Sequence, residues 1–231
     1  MSHPERSVTS WFRSALAIFL KDWHSELRTR YAMSALLMFV LTTIAIILFS
    51  LGSESAPAPA LSGMLWVVIF FSAMSGLSRT FVTEEERGTS MTLQLMARPS
   101  AVYMGKLTFN LVLVFLLNSV AVLLYSFFIT GFTVRTLGIF LVALVLGSAG
   151  LAVLSTLIAA IIAKANTKGT LFPVLSFPLL LPLLLSVIGM TEKATEGAFF
   201  NEVWGEFQVL ISYIGAVVTI SFLVFDYVWK D

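Results

Sequence analysis

Six long apolar runs, separated by short polar segments, dominate the chain. They cover 31–51, 61–81, 104–130, 137–163, 171–190 and 208–229. Each holds about 20 residues or more, enough for a helix rising about 1.5 Å per residue to cross about 30 Å of hydrocarbon. The pattern predicts an all-α membrane protein, one transmembrane domain over 1–231 with six membrane-crossing helices. Ahead of the first run, Val8, Phe12, Leu16, Phe19, Trp23 and Leu27 recur at steps of three or four. Arg13, Lys21, His24 and Arg28 fall on the other side of the helical wheel. This predicts an N-terminal amphipathic helix over 5–28 that rests on membrane lipid at the interface, with Trp11 and Trp23 as anchors. Asp22 and Glu26 fall near its apolar face and interrupt it.

Composition agrees with this reading. Of 231 residues, 58% are apolar and 12% charged, about half of the ~25% charge of a soluble domain. The net charge of +1 carries no message, and no nucleic-acid partner is expected. The distribution of charge does carry one. All but two of the 14 Lys and Arg residues lie in the N-terminal segment, in the segments after runs two and four, or at the C-terminus. Arg135 and Lys193 alone fall on the other side. By the positive-inside rule both termini are cytoplasmic, in keeping with an even number of spans. The 56–58 segment Ala-Pro-Ala resembles a signal cleavage site, but the run before it is too long and too far from the start, so a retained first span is expected.

Within the spans, Asn118 reads as the one strongly polar interior residue of the third, and as interhelical glue. Ser148, Ala152, Thr156 and Ala160 form a small-residue ridge on the fourth, beside Gly147 and Gly150. Such a ridge permits close helix approach, within one chain or to a second copy. The fifth span carries Pro173, Pro178 and Pro182, which predict a bent or broken helix, either static or moving as a gate. The segment 191–206 is expected outside, with a short helix resting on the membrane surface.

The absent chemistry narrows function. Cysteine is missing, and the only histidines are His3 and His24. No ionisable residue sits near the middle of any predicted span, so a proton relay is lacking. No buried base stands ready to activate a serine, and Gly76-Leu-Ser78-Arg-Thr80 lacks the closing Gly of a nucleophile elbow. No catalytic or metal site is expected. The one Gly-Lys pair, Gly105-Lys106, fails as a phosphate loop, having Ser100 for the first Gly and Leu107 for the hydroxyl. Any ATP hydrolysis must come from another chain.

That leaves the polar segment between spans two and three, 79–99. Thr83 is placed to cap a helix with Glu84, Glu85 and Glu86 in its first turn. Gly88 breaks it, and Thr89-Ser90 starts a second short helix with Met91 and Leu95 at i+4 and Met96 beside them. Pro99 ends it, and Ser100 is placed to cap span three. Short helices offering acidic and Met/Leu contacts suit a docking surface.

Leu65-Trp66-Val67, then Arg79-x-Phe81-x-x-Glu84, Gly88, Leu93, Leu95 and Pro99, followed by Lys168-Gly169-x-Leu171, Pro178-Leu179 and Pro182-Leu183, resemble the CcmB family over nearly the whole chain. These are permeases of the ABC-2 type transporter class, in the cytochrome c maturation system. The resemblance implies a bacterial inner-membrane protein, a CcmA-like ATPase that binds ATP, CcmC- and CcmD-like membrane partners, and a CcmE-like haem chaperone. Arg79, Phe81, Glu84, Glu85, Glu86, Gly88, Leu95 and Pro99 become candidates for coupling to the ATPase. Lys168, Gly169, Pro178 and Pro182 become candidates for gating, and a homodimer is expected. Haem is implied as cargo or as a partner's ligand. With no suitable His or Cys, this chain could offer it only Met64, Met74 or Met190. The rival readings are an ABC-2 exporter of lipid, polysaccharide or drug, and a membrane scaffold that transports nothing.

Overall fold

The computed structural model of the protein describes residues 4–29, 31–52, 56–78, 80–86, 88–163 and 168–230. Among these it is all-α, with no strand. The helices are α1 (Pro4–Thr29), α2 (Tyr31–Leu51), α3 (Ala58–Leu77), α4 (Val82–Glu86), α5 (Ser90–Met96), α6 (Pro99–Phe128), α7 (Leu137–Ala163), α8 (Lys168–Glu196) and α9 (Trp204–Lys230), with a 3-10 turn at Phe200–Val203 before α9. Six of them, α2, α3, α6, α7, α8 and α9, are long and apolar enough to cross a membrane. The short helices α4 and α5 stand at the end of the bundle where α3 stops and α6 starts.

Local chemistry explains the boundaries. The apolar pattern runs on to Phe81, but α3 stops at Leu77. The Ser78 and Thr80 hydroxyls reach back to the Ser75 and Leu77 carbonyls and satisfy acceptors that the helix leaves open. Helix α6 starts five residues before the predicted 104, with Pro99 at its first position, where a missing N–H costs nothing. Its N-cap is Arg98, with no side-chain cap, so Ser100 does not serve as one. At 30 residues, α6 is about 45 Å long, some 15 Å more than the hydrocarbon requires. Helix α8 runs past Met190 to Glu196 and ends at Gly197, whose φ of 88° is a left-handed position that suits glycine. The 3-10 turn then supplies the short helix expected in this segment.

Lipid offers apolar helices no hydrophobic reason to associate, so close packing and polar pairs must hold the bundle. Helix α7 is its centre, and Ser148, Ala152, Thr156 and Ala160 are all buried. The glycines beside this ridge are close-packed within the chain: Gly147 lies under the Trp66 ring of α3, and Gly150 under Leu183 of α8. Polar pairs join α6 to α7. Asn118 donates through Nδ2 to Ser148 Oγ at 2.9 Å, the interhelical glue the sequence suggested. It is not alone, for Asn110 donates to Thr156 Oγ1 at 2.8 Å. At the far end, Trp66 Nε1 donates to Thr191 Oγ1 at 2.8 Å and Tyr125 donates to the Leu61 carbonyl at 2.9 Å.

The prolines do not break α8, which is continuous. Pro178 and Pro182 lie on its exposed face, while Leu180, Leu183, Val187 and Met190 face the bundle. The Ser186 hydroxyl donates to the Pro182 carbonyl at 2.9 Å. A proline turned outward removes a hydrogen bond on the side where no neighbour depends on it.

The packing at Gly147 is directly testable. A Cβ there would lie 2.3 Å from the Trp66 ring, whereas one at Gly63 meets nothing within 4 Å. Gly147→Ala is expected to lower stability in detergent by about 1–3 kcal/mol, the cost of overpacking, and Gly63→Ala to leave it unchanged. Equal melting temperatures for the two variants would refute this account of the α3–α7 contact.

Candidate functional site

The α5 end of the bundle holds a charge cluster that the sequence pattern did not reveal. Lys106, assigned by its charge to a loop, lies two turns into α6 and is only 2% exposed. Its Nζ donates to Asp22 Oδ2 on α1, to Glu84 Oε1 on α4 and to the Thr80 carbonyl, each at 3.0 Å. Three donors meet three acceptors, so this buried ammonium is fully satisfied. It also stands 5.3 Å from the centre of the Phe81 ring, within cation–π range. Lys21 closes the cluster through ion pairs to Asp22 at 3.2 Å and to Glu84. Among the described residues, two cations and two carboxylates balance in it.

Glu84 is the hub. Its Oε1 accepts from both lysines, and its Oε2 accepts from the Thr89 hydroxyl at 2.8 Å. Burial alone would push its pKa up. The Lys106 ammonium and hydrogen bonds from Lys21, Thr89 and Lys106 outweigh that and hold it at about 2. Lys21 shows the converse balance: burial would lower it, and its two carboxylate neighbours raise it above its ordinary value.

The N-terminal helix belongs to this arrangement. Along α1, Trp11 donates to Ser100 Oγ at 3.0 Å, Ala15 and Ile18 lie against Gly105, and Asp22 meets Lys106. These contacts advance in the same order along both helices. A Cβ on Gly105 would be 2.6 Å from the Ala15 carbonyl oxygen, so glycine is what lets the two backbones approach. The pair Gly105-Lys106, discarded as a phosphate loop, is the joint between α1 and α6. Asp22 and Glu26, which seemed to spoil the apolar stripe, both have partners: Glu26 Oε1 accepts the Met33 N–H in the first turn of α2, where a carboxylate suits the helix dipole.

Phe81 is 1% exposed and fixes α4 from the other side. Its ring meets Phe225 and Trp229 of α9 at 5.6 and 5.8 Å. Helix α4 begins at Val82, with the Phe81 carbonyl accepting its first hydrogen bonds. Thr83 therefore lies inside the helix rather than at its cap. After α4 the chain reverses at Gly88, whose φ is 64°, and the Thr89 N–H bonds back to the Glu84 carbonyl at 3.0 Å.

Helix α5 contrasts with this anchored root. It has no buried residue. Met91, Leu95 and Met96 are 70%, 84% and 77% exposed, and Gln94 Nε2 ties the helix to the Trp229 carbonyl at 2.6 Å. The candidate residues thus divide by place. Phe81 and Glu84 are turned inward, Glu85 and Pro99 are half-buried, and Glu86, Gly88 and Leu95 are exposed. Arg79 lies outside the described residues. Lys168 and Gly169 open α8, and Pro178 and Pro182 follow further along the same helix on its outer face. Met74 and Met190 are buried in the bundle, and among the described residues no three His, Cys, Asp or Glu side chains gather as a metal site.

A bundle of six membrane-length helices with a short helical segment projecting between the second and third defines a multi-pass membrane protein. The family model described as CcmB protein matches residues 13–227, and the chain belongs to the CcmB family. It is a permease, a membrane component of a cytochrome c maturation and haem-export ABC system. No curated protein matches the chain significantly.

Two predictions follow from the geometry around Glu84. Its ordinary value of 4.5 falls to about 2 in the fold, so it stabilises the protein fully above pH 4.5 and loses that effect as the pH drops through about 2. Glu84→Gln should therefore melt well below the wild type at pH 7, with the gap closing between pH 4.5 and 2; a gap independent of pH would contradict this. At Gly88, alanine must adopt a left-handed backbone at a cost of about 1–2 kcal/mol, while asparagine tolerates it. Detergent melting curves should place Gly88→Ala below Gly88→Asn, and the reverse order would show that the turn is not strained.

Proposed function

We propose that the chain receives the work of a separate ATPase through α5 and passes it to the bundle through α4. The observation that carries this reading is the contrast between neighbouring helices. Four residues after the buried Glu84 the chain turns at Gly88, and α5 then presents Met91, Leu95 and Met96 to solvent. Three large apolar side chains on a helix with nothing packed over them suit a groove on a partner. The inward-facing Phe81 and Glu84 set the position and angle of that helix, and Arg79 and Glu84 through Pro99 form one coupling segment.

On this reading both termini, α4 and α5 are cytoplasmic, and α1 lies at the inner face of a bacterial cytoplasmic membrane. Phe12, Leu16, Leu20 and Leu27 are exposed there and face lipid. The ATPase is CcmA-like, and two copies of each chain form the core. CcmC- and CcmD-like proteins and a CcmE-like haem chaperone complete the system. ATP hydrolysis drives either export of haem or release of the haem-loaded chaperone. Haem is cargo of the system rather than a fixture of this chain.

The test uses the triple variant Met91→Ser, Leu95→Ser, Met96→Ser in cells. All three side chains are exposed, so the fold and the membrane level should survive. Co-purification of the ATPase should be lost, and mature c-type cytochromes should fall to the level of a deletion strain. Normal ATPase binding would overturn α5 as the docking helix. Normal c-type cytochromes in the deletion strain itself would overturn the reading as a whole.

A further inference from the structure

We propose that Lys106 is a positioning residue that fastens the N-terminal helix to the coupling segment, so that α1 and α4–α5 move as one body. The inference deepens the coupling role just described and rests on it for its functional meaning. Its structural part stands independently. One ammonium is shared by carboxylates from two elements 62 positions apart in sequence, Asp22 on α1 and Glu84 on α4, both at 3.0 Å. Lys21 bridges the same two carboxylates from the outside. Separating α1 from α4 would strip Lys106 of one counter-charge while it remains in α6, and an unpaired buried charge is among the most costly states a protein can adopt. Sliding is opposed as well, because Ala15 and Ile18 lie directly on Gly105.

The neighbouring contacts support a joint rather than generic adhesion. Trp11 bonds Ser100 just after the coupling segment ends at Pro99. Thr89, at the turn into α5, bonds the same Glu84 carboxylate that holds Lys106. Charge-assisted bonds therefore run from α1 through Lys106 and Glu84 to the first residue before α5. A push on α5 reaches α1 through short, directional contacts, whereas the lipid-facing side chains of α1 are free to shift. Helix α1 then acts as an extension of the coupling lever along the membrane surface.

The chain has no cysteine, so nitroxide labels on introduced thiols report cleanly. Leu16→Cys on α1 and Thr92→Cys on α5 are both at exposed positions. The distance distribution between them, measured by pulsed electron resonance on the full chain in lipid nanodiscs, should be narrow. Lys106→Met should broaden and shift it. Since that variant leaves two carboxylates facing one lysine and could fail to fold, Glu84→Gln with Lys106→Met gives a neutral version in which Lys21 keeps Asp22 as its partner. It should insert normally and show the same broadening, and a distribution as narrow as the wild type in the neutral double variant would overturn the proposal.

A second arm uses the complex with the ATPase, with and without a non-hydrolysable ATP analogue. The Leu16–Thr92 distance should stay constant in the wild type while a pair from Thr92 to the far end of the bundle changes. A change in Leu16–Thr92 of the same size would also overturn the proposal. If no pair responds to nucleotide, the coupling reading fails, and the arm without ATPase still decides whether Lys106 fastens α1.

Discussion

The Lys106 ammonium constrains everything at its end of the bundle. Removing such a charge from water costs several kcal/mol, and it must be matched by acceptors in good geometry. The turn after α3 contributes the Thr80 carbonyl, because the helix stops at Leu77. Helix α4 contributes Glu84, held in place by Phe81 wedged against Phe225 and Trp229. Helix α1 contributes Asp22 and reaches it only because residue 105 is glycine. Four elements meet at one nitrogen, and none can be moved without leaving a charge exposed to a poor environment.

The tip beyond this root is built on opposite terms. Gly88 turns the chain, and α5 keeps few anchors besides Gln94 on the last turn of α9. A short helix with exposed methionines can adjust to a partner's surface, since methionine is flexible and polarisable. Its base cannot adjust, because it is tied through Thr89 to Glu84. A compliant contact on a rigid mounting is suited to passing force, and a solvated loop of the same charge would have no mounting.

The six spans were legible because twenty consecutive apolar residues admit few other interpretations, and membrane crossing needs nothing more specific. The small-residue ridge of α7 was legible as a contact surface, and the structure sets its Ser148 and Thr156 against Asn118 and Asn110 of α6, with the flanking Gly147 and Gly150 under Trp66 and Leu183. The charge cluster was not legible. A lysine near the start of an apolar run reads as the edge of a loop, and the acid that neutralises it lies 84 positions earlier. Asp22 and Glu26 looked like defects in an amphipathic helix for the same reason: their partners are on other helices, and periodicity along one helix carries no information about them. Asn110 was passed over beside Asn118 although both make the same kind of bond. The exposure of Met91, Leu95 and Met96 was foreseeable, since their i+4 spacing has no matching apolar surface nearby in sequence.

The same contacts bear on where a displacement at the root would travel. Helix α8, with its prolines, looks like the flexible member, but its inner face is seated on the glycines of α7, and Pro178 and Pro182 face outward. Bending it would have to disturb Leu183 over Gly150, a contact as close as that of Trp66 over Gly147. Helix α6 offers the more direct route. It carries Lys106 at one end and Tyr125, bonded to the Leu61 carbonyl, at the other. Between them Asn110 and Asn118 link it to α7 at two levels. A tilt of α6 at Lys106 would therefore be delivered to α7 and to the start of α3 together.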